Sequence, residues 1–151
     1  MPTILDIKKD VVEITKDICD IFSVSSHEAE LADAIEAALK PFAHLEVIRL
    51  QDAIVARTNL GRAKRVVIAG HIDTVPVADN LPTKFVEVDG KKMLWGRGTV
   101  DMKAGVAVQL KLAAELSEPN VDITWVFYDH EEVDSELNGL GRIARTRPEL
   151  L

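Results

Sequence analysis

From Ile7 to Phe22, the apolar residues Ile7, Val11, Ile14, Ile18 and Phe22 recur every three or four positions among lysines and aspartates, the period of one helical face. Ser25 followed by Glu28 has the spacing of a capping box, so a second helix is expected from about Ser26 to Lys40. It should end before Pro41, because the residue ahead of a proline is pushed out of helical geometry. Beyond that point the period changes. LEVIRL (45–50), AIVART (53–58) and RVVIAGHID (65–73) are short and rich in Val, Ile and Leu, with Asn59-Leu60-Gly61 supplying a turn. The third is apolar at each position from Val66 to Ala69, which predicts a strand buried on both faces. A hairpin is expected next, FVEV and KMLWG joined through Asp89-Gly90. A helix from Asp101 to Ser117 should present Val106, Leu110, Ala113 and Leu116 on one face, followed by a strand over Val121–Tyr128 and a short helix over Leu137–Arg147. Strands alternating with helices predict an α/β layered domain whose mixed, largely parallel sheet is covered by helices. No internal repeat, low-complexity tract or interdomain linker interrupts it.

Composition narrows the class. A chain of 151 residues that is 47% hydrophobic and 28% charged suits one globular domain. No apolar run approaches the ~20 residues that span a bilayer, and the first residues lack the basic-then-apolar order of a secretory leader, so a cytoplasmic location is expected. A net charge of −7 disfavours nucleic acid or an anionic membrane as partner. A small anionic substrate would need local positive charge. The single cysteine, Cys19, cannot form an internal disulfide and fits a small buried hydrophobe.

Three segments place acids or histidine just beyond an apolar strand or at a helix start, where ligands bind in open α/β sheets. In Gly70-His71-Ile72-Asp73, His71 and Asp73 project to the same side if the strand continues through them. Asp73 could then accept one ring N–H and leave the other nitrogen to a metal; the plainer alternative is a surface histidine beside a turn carboxylate. The second segment, WGRGTVDMKAG (95–105), delivers Asp101 to a helix start, where the dipole stabilises a carboxylate that can still offer two oxygens to cations. An ordinary helix cap or a phosphate-cradling loop are the alternatives. Against phosphate, Asp101 adds negative charge, and neither GxGxxG nor GxxxxGK[ST] is present. In the third, Tyr128-Asp129-His130-Glu131-Glu132, adjacent carboxylates diverge, so one can coordinate a metal while its neighbour serves as general base. A solvated acidic loop would read the same.

Taken together and in order, GHIDTVP, WGRGTVDMKAG and the paired glutamates of YDHEEVDSELNGLG resemble the signatures of the co-catalytic zinc amidohydrolases. That family includes aminoacylase, glutamate carboxypeptidase, acetylornithine deacetylase and the desuccinylases, and EEVDSELNGLGRI is most similar to the desuccinylase branch. The resemblance implies two zinc ions per complete site, with cobalt or manganese also suited to such ligands. It makes His71 a terminal ligand of one ion, Asp101 the bridge, Glu132 a ligand of the second, Glu131 the base and Asp73 the partner that orients His71. The implied substrate is a small dicarboxylate amide. Where the family often has an acid ahead of the glutamate pair, this chain has His130, expected to tune charge or face solvent.

The resemblance further implies that residues 1–151 are the N-terminal part of the catalytic domain, with another carboxylate, a late histidine and a smaller dimer-forming domain to come after Leu151. His27 and His44 are expected at the surface rather than as ligands. On this reading the chain alone binds zinc weakly and hydrolyses little. Another acyl specificity, a non-catalytic module with structural acids, and a nucleotide-binding domain are the competing readings.

Overall fold

Alternation along two central strands dictates the layering. In the computed structural model, which describes residues 3–151, helices α1 (Val11–Asp20) and α2 (Ala29–Leu39) precede strands β1 (Glu46–Leu50), β2 (Ala53–Arg57) and β3 (Arg65–His71). The hairpin of β4 (Lys84–Val88) and β5 (Lys91–Trp95) follows, then α3 (Lys103–Glu115), β6 (Asp122–Tyr128), α4 (Gly139–Thr146) and a 3-10 turn at Pro148–Leu150. The main sheet has the order β1-β2-β6-β3, and the hairpin stands apart as a second sheet. β3 runs parallel to β6, with His71 beside Tyr128, whereas β1–β2 and β2–β6 are antiparallel. The sheet is mixed, as expected, but its parallel share is confined to one pairing rather than most of the sheet.

Successive side chains of a strand face opposite sides. Ile54 and Ala56 of β2 and Ile123, Trp125 and Phe127 of β6 join Ile14 and Ile18 of α1, Leu31 and Ile35 of α2, and Val106 and Leu110 of α3 in one core. Ala53, Val55 and Val126 turn to the other side and meet Ile143 of α4 and Leu150. β2 and β6 therefore take the fully buried role. The expectation that 65–73 is buried on both faces is corrected: β3 lies at the sheet edge, and Val66 and Val67 are 44% and 40% exposed. An unbroken apolar run records hydrophobicity, not how many neighbours a strand acquires.

Helix ends follow from their caps. α1 begins at Val11 rather than Ile7 because the Asp10 side chain accepts the Val12 N–H at 2.8 Å. α2 begins at Ala29, and the expected capping box is not formed: no side chain caps this helix, and Ser25 Oγ instead donates to Asp73. The hairpin turn matches expectation, since Asp89 and Gly90 have φ of 51° and 72°, the left-handed pair of a type I′ turn. α3 starts at Lys103, so Asp101 stands in the turn ahead of the helix instead of within its first turn. Lys103 continues the apolar face of Val106 and Leu110 and is buried. Its Nζ donates to Ile18 O at 2.9 Å and Ile21 O at 3.0 Å, pinning the start of α3 to the end of α1. Burial pushes this amine down to about 8 and the Cys19 thiol up to about 11, so Cys19 is the inert hydrophobe expected.

At the start of β6, the buried Asp122 ties down the β2–β3 connection. Its Oδ1 accepts from Leu60 N and Thr58 Oγ1, and its Oδ2 from Arg62 N, each at 2.8 Å. The Leu60 amide above all, with Thr58 and Arg62, outweighs burial and holds this carboxyl down at about 2. A folded-state value below the unfolded one means that the stabilisation is complete above pH ~4 and disappears as pH falls towards 2. Asp122→Asn is accordingly expected to lower the urea midpoint at pH 7 and to flatten the acid limb between those two pH values, as read from unfolding curves across the range.

Candidate active site

Parallel β3 and β6 end side by side, and both C-terminal ends carry polar groups, the position at which open α/β sheets bind ligands. What brings the second segment, which carries Asp101, over them is a close helix approach. A Cβ on Gly70 would stand 2.9 Å from Gln109 Nε2 and 3.1 Å from Met102 Cε, so α3 packs closely on β3 here, with the flexible ends of those two side chains filling the space over the glycine. Met102 Sδ then accepts the His71 main-chain N–H at 3.4 Å, and the preceding residue, Asp101, comes to rest over the imidazole.

The three expected metal ligands converge. One ligand atom each from His71, Asp101 and Glu132 lies within 4.8 Å of the others, although the residues are far apart in the chain. His71 is 4% exposed. Its Nε2 is 3.1 Å from Asp101 Oδ1 and 3.9 Å from Glu131 Oε2, while Nδ1 is 3.0 Å from the Asp73 main-chain oxygen and 3.4 Å from Asp73 Oδ1. The Asp101 side chain is 73% exposed, so the cluster opens to solvent. Burial opposes charge on His71, but hydrogen bonds to Asp73 and Asp101 outweigh it and push the imidazole up to about 9. Burial, then the Asp101 and Glu131 charges, raise the Glu132 carboxyl above its ordinary value.

Asp73 is where the structure adds most. Its strand ends at His71, so it does not alternate with the histidine along β3; it lies fully buried beneath the site. Oδ1 accepts the Glu131 N–H at 3.0 Å, and Oδ2 accepts the Glu132 N–H at 3.1 Å and the Ser25 hydroxyl at 2.7 Å. Against its burial, His71, Ser25 and these amides hold the carboxyl far below the usual carboxylate range. The shorter contact of the His71 ring is to the Asp73 carbonyl, so the residue orients the histidine with its main chain and the glutamate pair with its side chain.

His27 is exposed and His44 Nε2 bonds Ala113 O at 2.8 Å; neither joins the cluster. His130, expected to tune charge or face solvent, has a side chain that is 19% exposed and is held between Asp129 and Ser26. Ser25 and Met102 also carried no sequence signal for the parts they play, since a serine before a helix reads as a cap and a methionine beside one as core. Lys103 did have a signal, a lysine in register with an apolar helical face. A groove of about 660 Å³ lined by Asp10, Phe85, Met93 and Leu94 lies against α1 and the hairpin and includes none of the converging residues.

Residues 67–150 match the sequence profile of Peptidase family M20/M25/M40. A Mycobacterium tuberculosis protein, whose name assigns it provisionally to the succinyl-diaminopimelate desuccinylases, is 53% identical over 148 residues, covering 97% of this chain and 41% of its own. A Corynebacterium glutamicum succinyl-diaminopimelate desuccinylase is 47% identical over 152 residues, covering 97% and 40%. The chain thus spans about two fifths of the length of these curated relatives. Among solved structures, an M20 family metallo-carboxypeptidase from Sulfolobus solfataricus superposes with a TM-score of 0.72 at 18% identity, over 95% of this chain and 36% of that one, a likeness of fold.

Removing the Asp73 carboxylate should release the glutamate pair. Asp73→Ala leaves two main-chain amides and a hydroxyl without their acceptor, and we expect a loss of about 2–4 kcal/mol in urea unfolding, by the cost of unsatisfied buried donors. Asp73→Asn, which keeps one acceptor oxygen but turns an NH2 towards a donor, should fall between it and the parent.

Proposed function

The chain belongs to the M20/M25/M40 family of peptidases, and on that premise we propose that it carries part of the active site of a metal-dependent amide hydrolase, with N-succinyl-LL-2,6-diaminopimelate as substrate. The observation that carries the reading is the convergence of His71, Asp101 and Glu132. The donor set suits zinc, which takes imidazole nitrogen and carboxylate oxygen in catalytic sites. The proton on His71 Nδ1 is directed at the Asp73 carbonyl, which leaves Nε2 to face a cation once its own proton is displaced. His71 would hold one ion, Glu132 a second, and Asp101, whose carboxylate sits on a largely exposed side chain, would bridge them. The identities of 53% and 47% to the two relatives favour the succinyl branch over acetyl or other acyl amides.

Bound metals would supply Lewis-acid polarisation of the scissile carbonyl and a water acidic enough to ionise near neutral pH. The work of this chain is positional and acid–base. Glu131 is exposed beside the cluster, with Oε2 3.9 Å from His71 Nε2, where it can take a proton from the attacking water and deliver it to the leaving amine. The C–N bond breaks, hydroxyl adds to the acyl carbon, and succinate and diaminopimelate leave. Asp73, by gripping the amides of both glutamates, keeps base and ligand in fixed relation.

Three side chains are few for two ions, each of which takes about three protein ligands. We therefore read residues 1–151 as the N-terminal portion of a catalytic domain whose remaining ligands, substrate-carboxylate contacts and dimer-forming domain lie elsewhere in a longer protein. The open edge of β3, with Val66 and Val67 exposed, is a place for further strands to pair.

Assays on a longer protein that contains this chain test the reading. Succinyl-diaminopimelate should be cleaved in preference to acetylornithine, chelation should abolish turnover, and zinc should restore it. Glu131→Gln should lower kcat by about 10²–10⁴ while metal content stays unchanged. Full activity in that variant, or chelator-insensitive turnover, would refute the assignment. The 151-residue chain alone should show weak zinc affinity and little turnover.

A further inference from the structure

The residue ahead of the glutamate pair has a backbone that a side chain makes unfavourable. His130 has φ of 59°, in the left-handed region where residues with a Cβ are uncommon, so its surroundings must hold it there. They do so from three directions. Nδ1 donates to Asp129 Oδ2 at 2.6 Å and lies 3.5 Å from Glu28 Oε1, Nε2 shares a hydrogen bond with Ser26 Oγ at 3.1 Å, and the main-chain N–H donates to Glu28 Oε1 at 3.2 Å. Glu28, at the start of α2, is wholly buried, and its Oε2 has no partner among the described residues. Asp129 is also buried, and its other oxygen accepts from Arg142 Nη2 of α4 at 2.6 Å. Through this one imidazole, helices on opposite faces of the sheet are linked at the residue that precedes Glu131 and Glu132. His130 itself is not among the converging ligands.

We propose that His130 is a positioning residue: clamped by Glu28, Asp129 and Ser26, it sets the left-handed turn that aims Glu131 and Glu132 at the His71 site. Without the ring, φ is free to return to the favoured negative region, and the two following amides swing off the Asp73 carboxylate. The consequence for catalysis rests on the reading of those glutamates as base and ligand, whereas the turn is a property of the metal-free chain.

Residue-resolved amide exchange of the metal-free 151-residue chain tests it. His130→Gly, which permits the turn but deletes the clamp, should speed exchange at Glu131 and Glu132 by about tenfold, the factor that roughly one net hydrogen bond implies, with Trp125 and Val126 of β6 unchanged. His130→Asn, which tolerates positive φ and can donate to Asp129, should restore most of the protection. Parent-like protection at both glutamates in His130→Gly overturns the proposal, as does an equal rise at Trp125 and Val126, the mark of general destabilisation. Should His130→Gly not fold, Ser26→Ala removes one arm and must raise exchange at the same two amides alone; no change there is equally fatal. If exchange behaves as expected while the longer protein hydrolyses no amide, the functional reading fails and the positioning role stands.

Discussion

A carboxylate sealed from water must be satisfied by the protein itself, and Asp73 is that group here. Its two oxygens accept from the Glu131 and Glu132 amides and the Ser25 hydroxyl, while its carbonyl takes the His71 ring. One residue thereby joins the end of β3, the segment ahead of α2 and the loop after β6. None of these three can shift without leaving a buried polar group unpaired. The placement of the exposed Glu131 and of its neighbour Glu132 is inherited from that buried fixture.

The second constraint is apolar. α3 packs closely on β3 at Gly70, with the side-chain ends of Gln109 and Met102 over the glycine, and Lys103 fastens the same end of α3 to the last carbonyls of α1. The loop carrying Asp101 is thus held from below by sheet packing and from the side by a buried amine. A surface-exposed aspartate is placed over a buried histidine by groups that are themselves buried or half-buried. The parallel pairing of β3 with β6 completes the geometry, because strands that run the same way deliver their following loops to the same edge.

Local information was well carried by the chain. The Asp89-Gly90 turn, the helical face of Val106, Leu110 and Ala113, and the apolar strand ending at Tyr128 are each decided by a few neighbouring side chains, and each is found where the periodicity puts it, although Leu116, expected on the same face, falls at the helix end and is exposed. Errors cluster where a local signal had a distant competitor. Ser25 has a cap's spacing but gives its hydroxyl to Asp73, and Val66–Ala69 has a central strand's composition but lies at an edge. His130 follows an acid and precedes two more, a context that leaves charge tuning and solvent both open until Glu28 and Ser26 are seen against it.

The residue types that can ligate a metal, and the order of the three motifs that carry them, were determined by the sequence alone, because ligand chemistry belongs to the side chain. That His71, Asp101 and Glu132 meet within a few ångströms, and that Asp73 serves the glutamates' main chain as well as the histidine, was decided only by the tertiary structure. The reason is physical: hydrogen bonds between residues tens of positions apart depend on strand order, helix docking and the exclusion of water, and no periodicity in a linear string encodes any of the three.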